Sequence, residues 1–132
     1  MNTLLSVENL SFSWPNREVL QNLNIEIKSN ELVSILGVNG AGKTTLLKCV
    51  NRILKPSAGR VSLLAQDLST MQTIDVAQRI AYVPQSVSTN FPMEVYDVVL
   101  LGRRPYISWF VRDEDREIVS ESLEFLDLED FA

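Results

Sequence analysis

Three of the five glycines in this 132-residue chain fall within nine positions, Gly37-Val38-Asn39-Gly40-Ala41-Gly42-Lys43-Thr44-Thr45. Before them runs Leu32-Val33-Ser34-Ile35-Leu36, almost unbroken in its apolar character and partly β-branched. Such a run predicts a strand covered on both faces, and so predicts neighbouring strands beside it. After them, Leu46 and Val50 lie four apart, as do Cys49 and Ile53, the spacing of one helix face. Glycine turns without a Cβ clash, so the segment reads as strand, tight turn and helix, the repeating unit of an α/β fold.

The turn also fits G-x-x-x-x-G-K-[ST], the pattern of a phosphate-binding loop. The amides of Gly37, Asn39, Gly40, Ala41 and Gly42 can point inward as a nest, and the helix that opens near Lys43 adds unpaired N–H groups and its positive end. Lys43 would reach the β- and γ-phosphates and the Thr44 hydroxyl would bind magnesium. Thr45 is a second hydroxyl near the α-phosphate or a helix-packing residue. The pattern implies a nucleoside triphosphate with Mg2+, but supplies neither a base nor a group that positions water.

Around this unit the chain alternates. Residues 4–14 give a strand pair or one bent strand, stopped by Pro15-Asn16, and Leu23, Ile25 and Ile27 alternate with polar residues as a half-wet strand does. Residues 60–64 and 80–83 are expected to be strands, with Asp67 as a corner residue between them and a short helix from about Ile74 to Arg79. A helix is expected after Pro92, ended by Gly102. The last helix should start at residues 113–115, where carboxylates suit the positive end. It would bury Ile118, Val119, Ser122, Leu123 and Leu126 and turn its acidic residues to water.

Composition narrows the chemistry. There is no histidine and Cys49 is the single cysteine, which removes disulfides within the chain, imidazole or thiolate zinc clusters and any His base. The net charge of -5 is concentrated: residues 113–132 sum to -8, leaving +3 for the rest. That mild excess forms no stripe of Arg and Lys with interleaved aromatics, so no nucleic-acid groove is expected. No apolar run is long enough to span a bilayer.

Beyond the loop, the chain resembles the ATP-binding subunit of an ATP-binding-cassette transporter from Leu4 to Ala132. The resemblance implies an α/β P-loop nucleotide hydrolase fold in three parts: an antiparallel β region (residues 1–31), part of a RecA-like core (32–85) and the start of a helical subdomain (86–132). It implies that Trp14 stacks on adenine, with Phe12 as the neighbouring competitor and packing as the alternative. Ile80-Ala81-Tyr82-Val83-Pro84-Gln85 matches the family's strand and glutamine, which implies Gln85 as a ligand of magnesium and of attacking water. Lys43 and Gln85 would thus be the catalytic positions and Thr44 and Gln85 the metal ligands.

The stretch from Thr89-Asn90-Phe91-Pro92 to Pro105-Tyr106 is similar to importers of iron-siderophore, haem or cobalamin. There Phe91, Tyr106, Ile107, Trp109 and Phe110, rimmed by Arg103 and Arg104, would receive a transmembrane permease subunit or close the subdomain's own core. The resemblance further implies a second ATP-binding subunit as partner, no nucleic acid, and a peripheral place on the cytoplasmic face of the inner membrane. The family's Leu-Ser-Gly-Gly-Gln signature, magnesium-holding Asp, adjoining Glu and switch histidine do not occur in these residues. The chain therefore reads as the N-terminal half of such a subunit, inactive in hydrolysis by itself. The alternative is a nucleotide-binding or membrane-subunit-docking module without turnover.

Overall fold

A computed structural model describes residues 2–86 and 92–132. It divides into two compact units, Met1–Ala81 and Tyr82–Ala132. Among the described residues Thr89, Asn90 and Phe91 do not occur, so their expected roles lie outside the description.

The first unit is built on a long hairpin of β1 (Thr3–Trp14) and β2 (Arg17–Lys28), extended by β3 (Ala58–Leu63) and a two-residue β4 (Gln66–Asp67) into an antiparallel sheet of order β2-β1-β3-β4. Residues 4–14 thus form one strand, and the reason it is bent can be read from its apolar spacing. Leu5 and Val7 are two apart, but the next buried residue is Leu10, three on. Strict alternation would turn Leu10 and Phe12 outward. A bulge at Asn9, with φ 49°, absorbs the extra residue. On β2 the same slip separates Leu20 from Leu23 through Asn22, with φ 46°. The two irregularities are reconciled where Leu10 pairs with Leu23. Side chains then satisfy the bulged amides: Asn9 N–H donates to Asn24 Oδ1 and Asn22 N–H to Ser11 Oγ, both at 2.9 Å.

One sheet face carries Leu5, Val7, Leu10, Phe12, Leu20, Val61 and Leu63, and onto it pack Leu46 and Cys49 of α1 (Lys43–Val50), with Leu68, Met71 and Val76 closing the cluster. Val76 belongs to α2 (Thr73–Ala77), shorter than the helix expected there. Burial pushes the Cys49 thiol above the usual cysteine range. Asp67 is the corner residue expected: its carboxylate accepts the Ser69 N–H at 2.8 Å and caps a short 3₁₀ turn over Leu68–Thr70.

The expected strands at residues 32–36 and 80–83 are not formed; neither belongs to the sheet. A strand with two apolar faces exists only through neighbours that pair with its backbone and cover its side chains. Among the described residues no strand pairs with it, and Leu32, Leu36 and Val83 stand 98%, 90% and 89% exposed.

The second unit contains α3 (Val95–Leu101), a short 3₁₀ turn and α4 (Asp113–Phe125). Here the expectation that the acidic residues of α4 face water fails at Asp115, which is buried, while Leu126 is exposed and Val119 and Leu123 are buried as expected. Asp115 Oδ1 accepts from Arg103 at 3.0 Å and Oδ2 from the Arg112 N–H at 3.1 Å. The Arg103 guanidinium also lies over the Tyr106 ring, 4.4 Å from its centre. One carboxylate therefore caps α4 and clamps the segment after α3, which a buried charge needs in order to be tolerated.

The Arg112 N–H, then the Arg103 guanidinium, hold the Asp115 carboxyl below the usual carboxylate range, against the effect of its desolvation. A carboxylate with a depressed folded-state pKa contributes stability that is present above its unfolded pKa and is lost as pH falls through the folded value. Protection factors of α4 amides, exchange rates taken relative to the intrinsic rate at each pH, are therefore expected to fall at acid pH. Asp115→Asn, which removes the charge at nearly constant shape, should lower these protection factors at neutral pH and flatten their fall with acid. An unchanged pH response in that variant would assign the effect elsewhere.

Candidate functional site

Residues 37–42 connect to α1 without helix or strand of their own, and the glycines explain how. Gly40 and Gly42 adopt φ of 83° and 94°, the left-handed region that favours glycine. Gly42 also has no room for a side chain: a Cβ there would lie 2.9 Å from both Val19 Cγ1 and Leu20 Cδ2. As N-cap of α1 it leaves the helix start uncapped by any side chain, so the first-turn amides of Lys43, Thr44 and Thr45 keep the character of an anion site.

The lysine completes this focus. Lys43 Nζ donates to the carbonyls of Gly37 at 2.6 Å and Val38 at 2.8 Å, and the Ala41 N–H reaches the same Val38 oxygen at 3.2 Å. An ammonium and a backbone amide thus converge on one carbonyl oxygen in the loop that leads into α1. A phosphate oxygen, being charged, is a stronger acceptor than the carbonyls these donors now hold. All of residues 37–41 are exposed, as a site that works through backbone amides requires. A separate cavity of about 610 Å³ opens at the other end of α1, beside Cys49, Arg52 and Arg60, away from the loop.

Trp14 ends β1 at the hairpin turn and is paired with Arg17. It is half exposed and meets Phe12 edge-on, ring centres 5.0 Å apart. Phe12 is buried in the core, so of the two aromatics Trp14 is the one with a face open to a planar ligand. Its strand partner Arg17 donates to the Gly40 carbonyl at 3.4 Å, which brings the hairpin end and the loop together. Thr44 is exposed and Thr45 half-buried in the first turn of α1. Gln85 is exposed and belongs to the second unit. Arg17 is the residue that reading the sequence missed; its place directly after the turn that follows Trp14 was the available signal.

The residues present suit a nucleoside triphosphate with magnesium: a glycine-rich turn that is left-handed at Gly40 and Gly42 and has no room for a Cβ at Gly42, converging donors for phosphate oxygens, one hydroxyl for the metal and an open aromatic at the same hairpin end. Among the described residues no group of three or more His, Cys, Asp or Glu could hold a metal by itself.

Comparison with known proteins gives the family. The ABC transporter family model matches residues 20–132. An uncharacterized ABC transporter ATP-binding protein of Methanocaldococcus jannaschii is 47% identical over 98% of this chain and 50% of its own length. A petrobactin import ATP-binding protein of Bacillus anthracis is 37% identical over 97% of this chain and 48% of its own. Among solved structures, a transporter assigned to the metal-chelate type, in an inward-facing conformation, superposes with a TM-score of 0.77 at 31% identity, covering all of this chain and 48% of that one. The chain spans about half the length of the curated relatives it matches. With the P-loop, the antiparallel sheet and the helical unit in place, the chain belongs to the ABC transporter ATP-binding family.

Proposed function

We propose that this chain binds Mg-ATP through the loop of residues 37–45, as part of an ATP-binding subunit that powers import of a metal chelate of the siderophore, haem or cobalamin class. The observation that carries the binding step is the convergence of Lys43 Nζ and the Ala41 N–H on one carbonyl oxygen at the start of α1. In this reading Gly37, Asn39, Gly40, Ala41 and Gly42 wrap the phosphates, Lys43 neutralises them, Thr44 and Gln85 hold magnesium, and Thr45 sits near the α-phosphate. Trp14 stacks on adenine. The three-part division at residues 31 and 85 belongs to the same reading.

Relatives named for petrobactin, iron(3+)-hydroxamate, hemin and cobalamin import support the substrate class. No helix among the described residues is long and apolar enough to cross a membrane; a peripheral place on the cytoplasmic face, against transmembrane permease subunits and a second ATP-binding subunit, fits the family. Hydrolysis is assigned to the whole family protein, and turnover by these 132 residues is expected at background.

Stacking of a base on an aromatic is worth about 1–3 kcal/mol. Trp14→Ala is therefore expected to weaken ATP binding about tenfold in calorimetric titration while leaving inorganic tripolyphosphate unaffected, and Trp14→Tyr to restore most of the loss. Equal losses for both ligands would remove Trp14 from the base site. Trp109 and Phe110 are 89% and 82% exposed, and their replacement by Ser is expected to abolish capture of the permease subunit without changing ATP affinity.

A further inference from the structure

We propose that Arg17 is a positioning residue for the phosphate loop, fixing the orientation of the Gly40 peptide from the hairpin that carries Trp14; the proposal rests on the nucleotide-binding reading above. Arg17 Nη2 donates to the Gly40 carbonyl at 3.4 Å. No peptide bond among the described residues is cis, and in a planar trans peptide the C=O and the following N–H point in opposite directions. Holding the Gly40 oxygen toward Arg17 therefore turns the Ala41 N–H the other way, to the Val38 oxygen that Lys43 also reaches. If this peptide flipped, a carbonyl oxygen would face the phosphates in place of an amide hydrogen, exchanging attraction for repulsion. Glycine at position 40, with φ 83° and nothing within 4 Å of a Cβ position, offers little resistance to such a flip.

The same strand presses on the loop again two residues further along. Val19 and Leu20 occupy the space beside Gly42, so the beginning of β2 touches the loop at both left-handed glycines. Because Arg17 is the strand partner of Trp14, the base-stacking aromatic and the loop's buttress are neighbouring positions of one hairpin end. The hairpin thereby links the base end of the site to its phosphate end.

The test compares Arg17→Ala and Arg17→Lys with the unchanged 132-residue chain, in two measurements. In titrations with ATP and with inorganic tripolyphosphate, both with Mg2+, Arg17→Ala is expected to lose about three- to tenfold affinity for both ligands, the size of one hydrogen bond. Arg17→Lys, which keeps a donor, should recover part of it. Without any ligand, exchange of the Ala41 amide is expected to quicken in Arg17→Ala. A side chain acting only as a charge on the phosphates would leave that exchange unaltered, and unaltered exchange would overturn the proposal. So would unchanged affinity for tripolyphosphate. Arg17 is exposed, and slow alkylation of buried Cys49 reports that each variant remains folded. Absence of ATP binding in the unchanged chain would sink the nucleotide reading instead, while quicker Ala41 exchange would still support the hold of Arg17 on the loop.

Discussion

Lys43→Ala is expected to lose at least about 100-fold in Mg-ATP affinity while the chain stays folded. A hydrogen bond to a charged group is worth about 1.5–3 kcal/mol, and 1.4 kcal/mol is a factor of ten in affinity. An ammonium that exchanges two loop carbonyls for two phosphate oxygens therefore controls about two decades. The bonds it makes to Gly37 and Val38 are exposed, so their loss affects folding only slightly. Lys43→Arg should not rescue, because a planar fork replaces a compact charge on a flexible stem. Calorimetric titration measures the affinity, and the thermal unfolding midpoint checks the fold.

Gly59→Ala is expected to have the largest effect on stability, on the order of 3 kcal/mol. Gly59 adopts φ 80° inside β3, and a Cβ there would press into the carbonyl oxygens of Glu8 and Asn9 at the β1 bulge. Those are backbone atoms, held by the pairing of Glu8 with Arg60 and by the Asn9 bond to Asn24, so they cannot move aside as a side chain could. The sole cysteine reports the outcome. Cys49 is buried beneath the sheet, and its alkylation should be slow in the unchanged chain and at least about tenfold faster in Gly59→Ala under the same denaturant. Equal rates would mean that the bulge relaxes at little cost.

The bulge shows where sequence reading runs out. The spacing of Val7 to Leu10 and of Leu20 to Leu23 breaks alternation in each strand, but only pairing reveals that the two breaks coincide and keep one face apolar. The loop was legible because its function is encoded locally, in glycines, a lysine and a hydroxyl at fixed offsets. Residues 32–36 have the composition of a covered strand, yet strand formation depends on partners that composition does not supply. Asp115 was misread for a related reason. Helical periodicity places it among acidic residues, whereas its burial depends on Arg103, twelve positions earlier, reaching its carboxylate.

Hydrogen exchange of the unchanged chain with and without Mg-ATP tests the central claim most directly. Amides of residues 37–45 are expected to become protected on nucleotide addition, Ala41 and the first turn of α1 most of all, with the protection following the same saturation curve as calorimetric binding. Saturable binding that left those amides unprotected, or no binding up to millimolar nucleotide, would contradict the assignment of this turn as the triphosphate site.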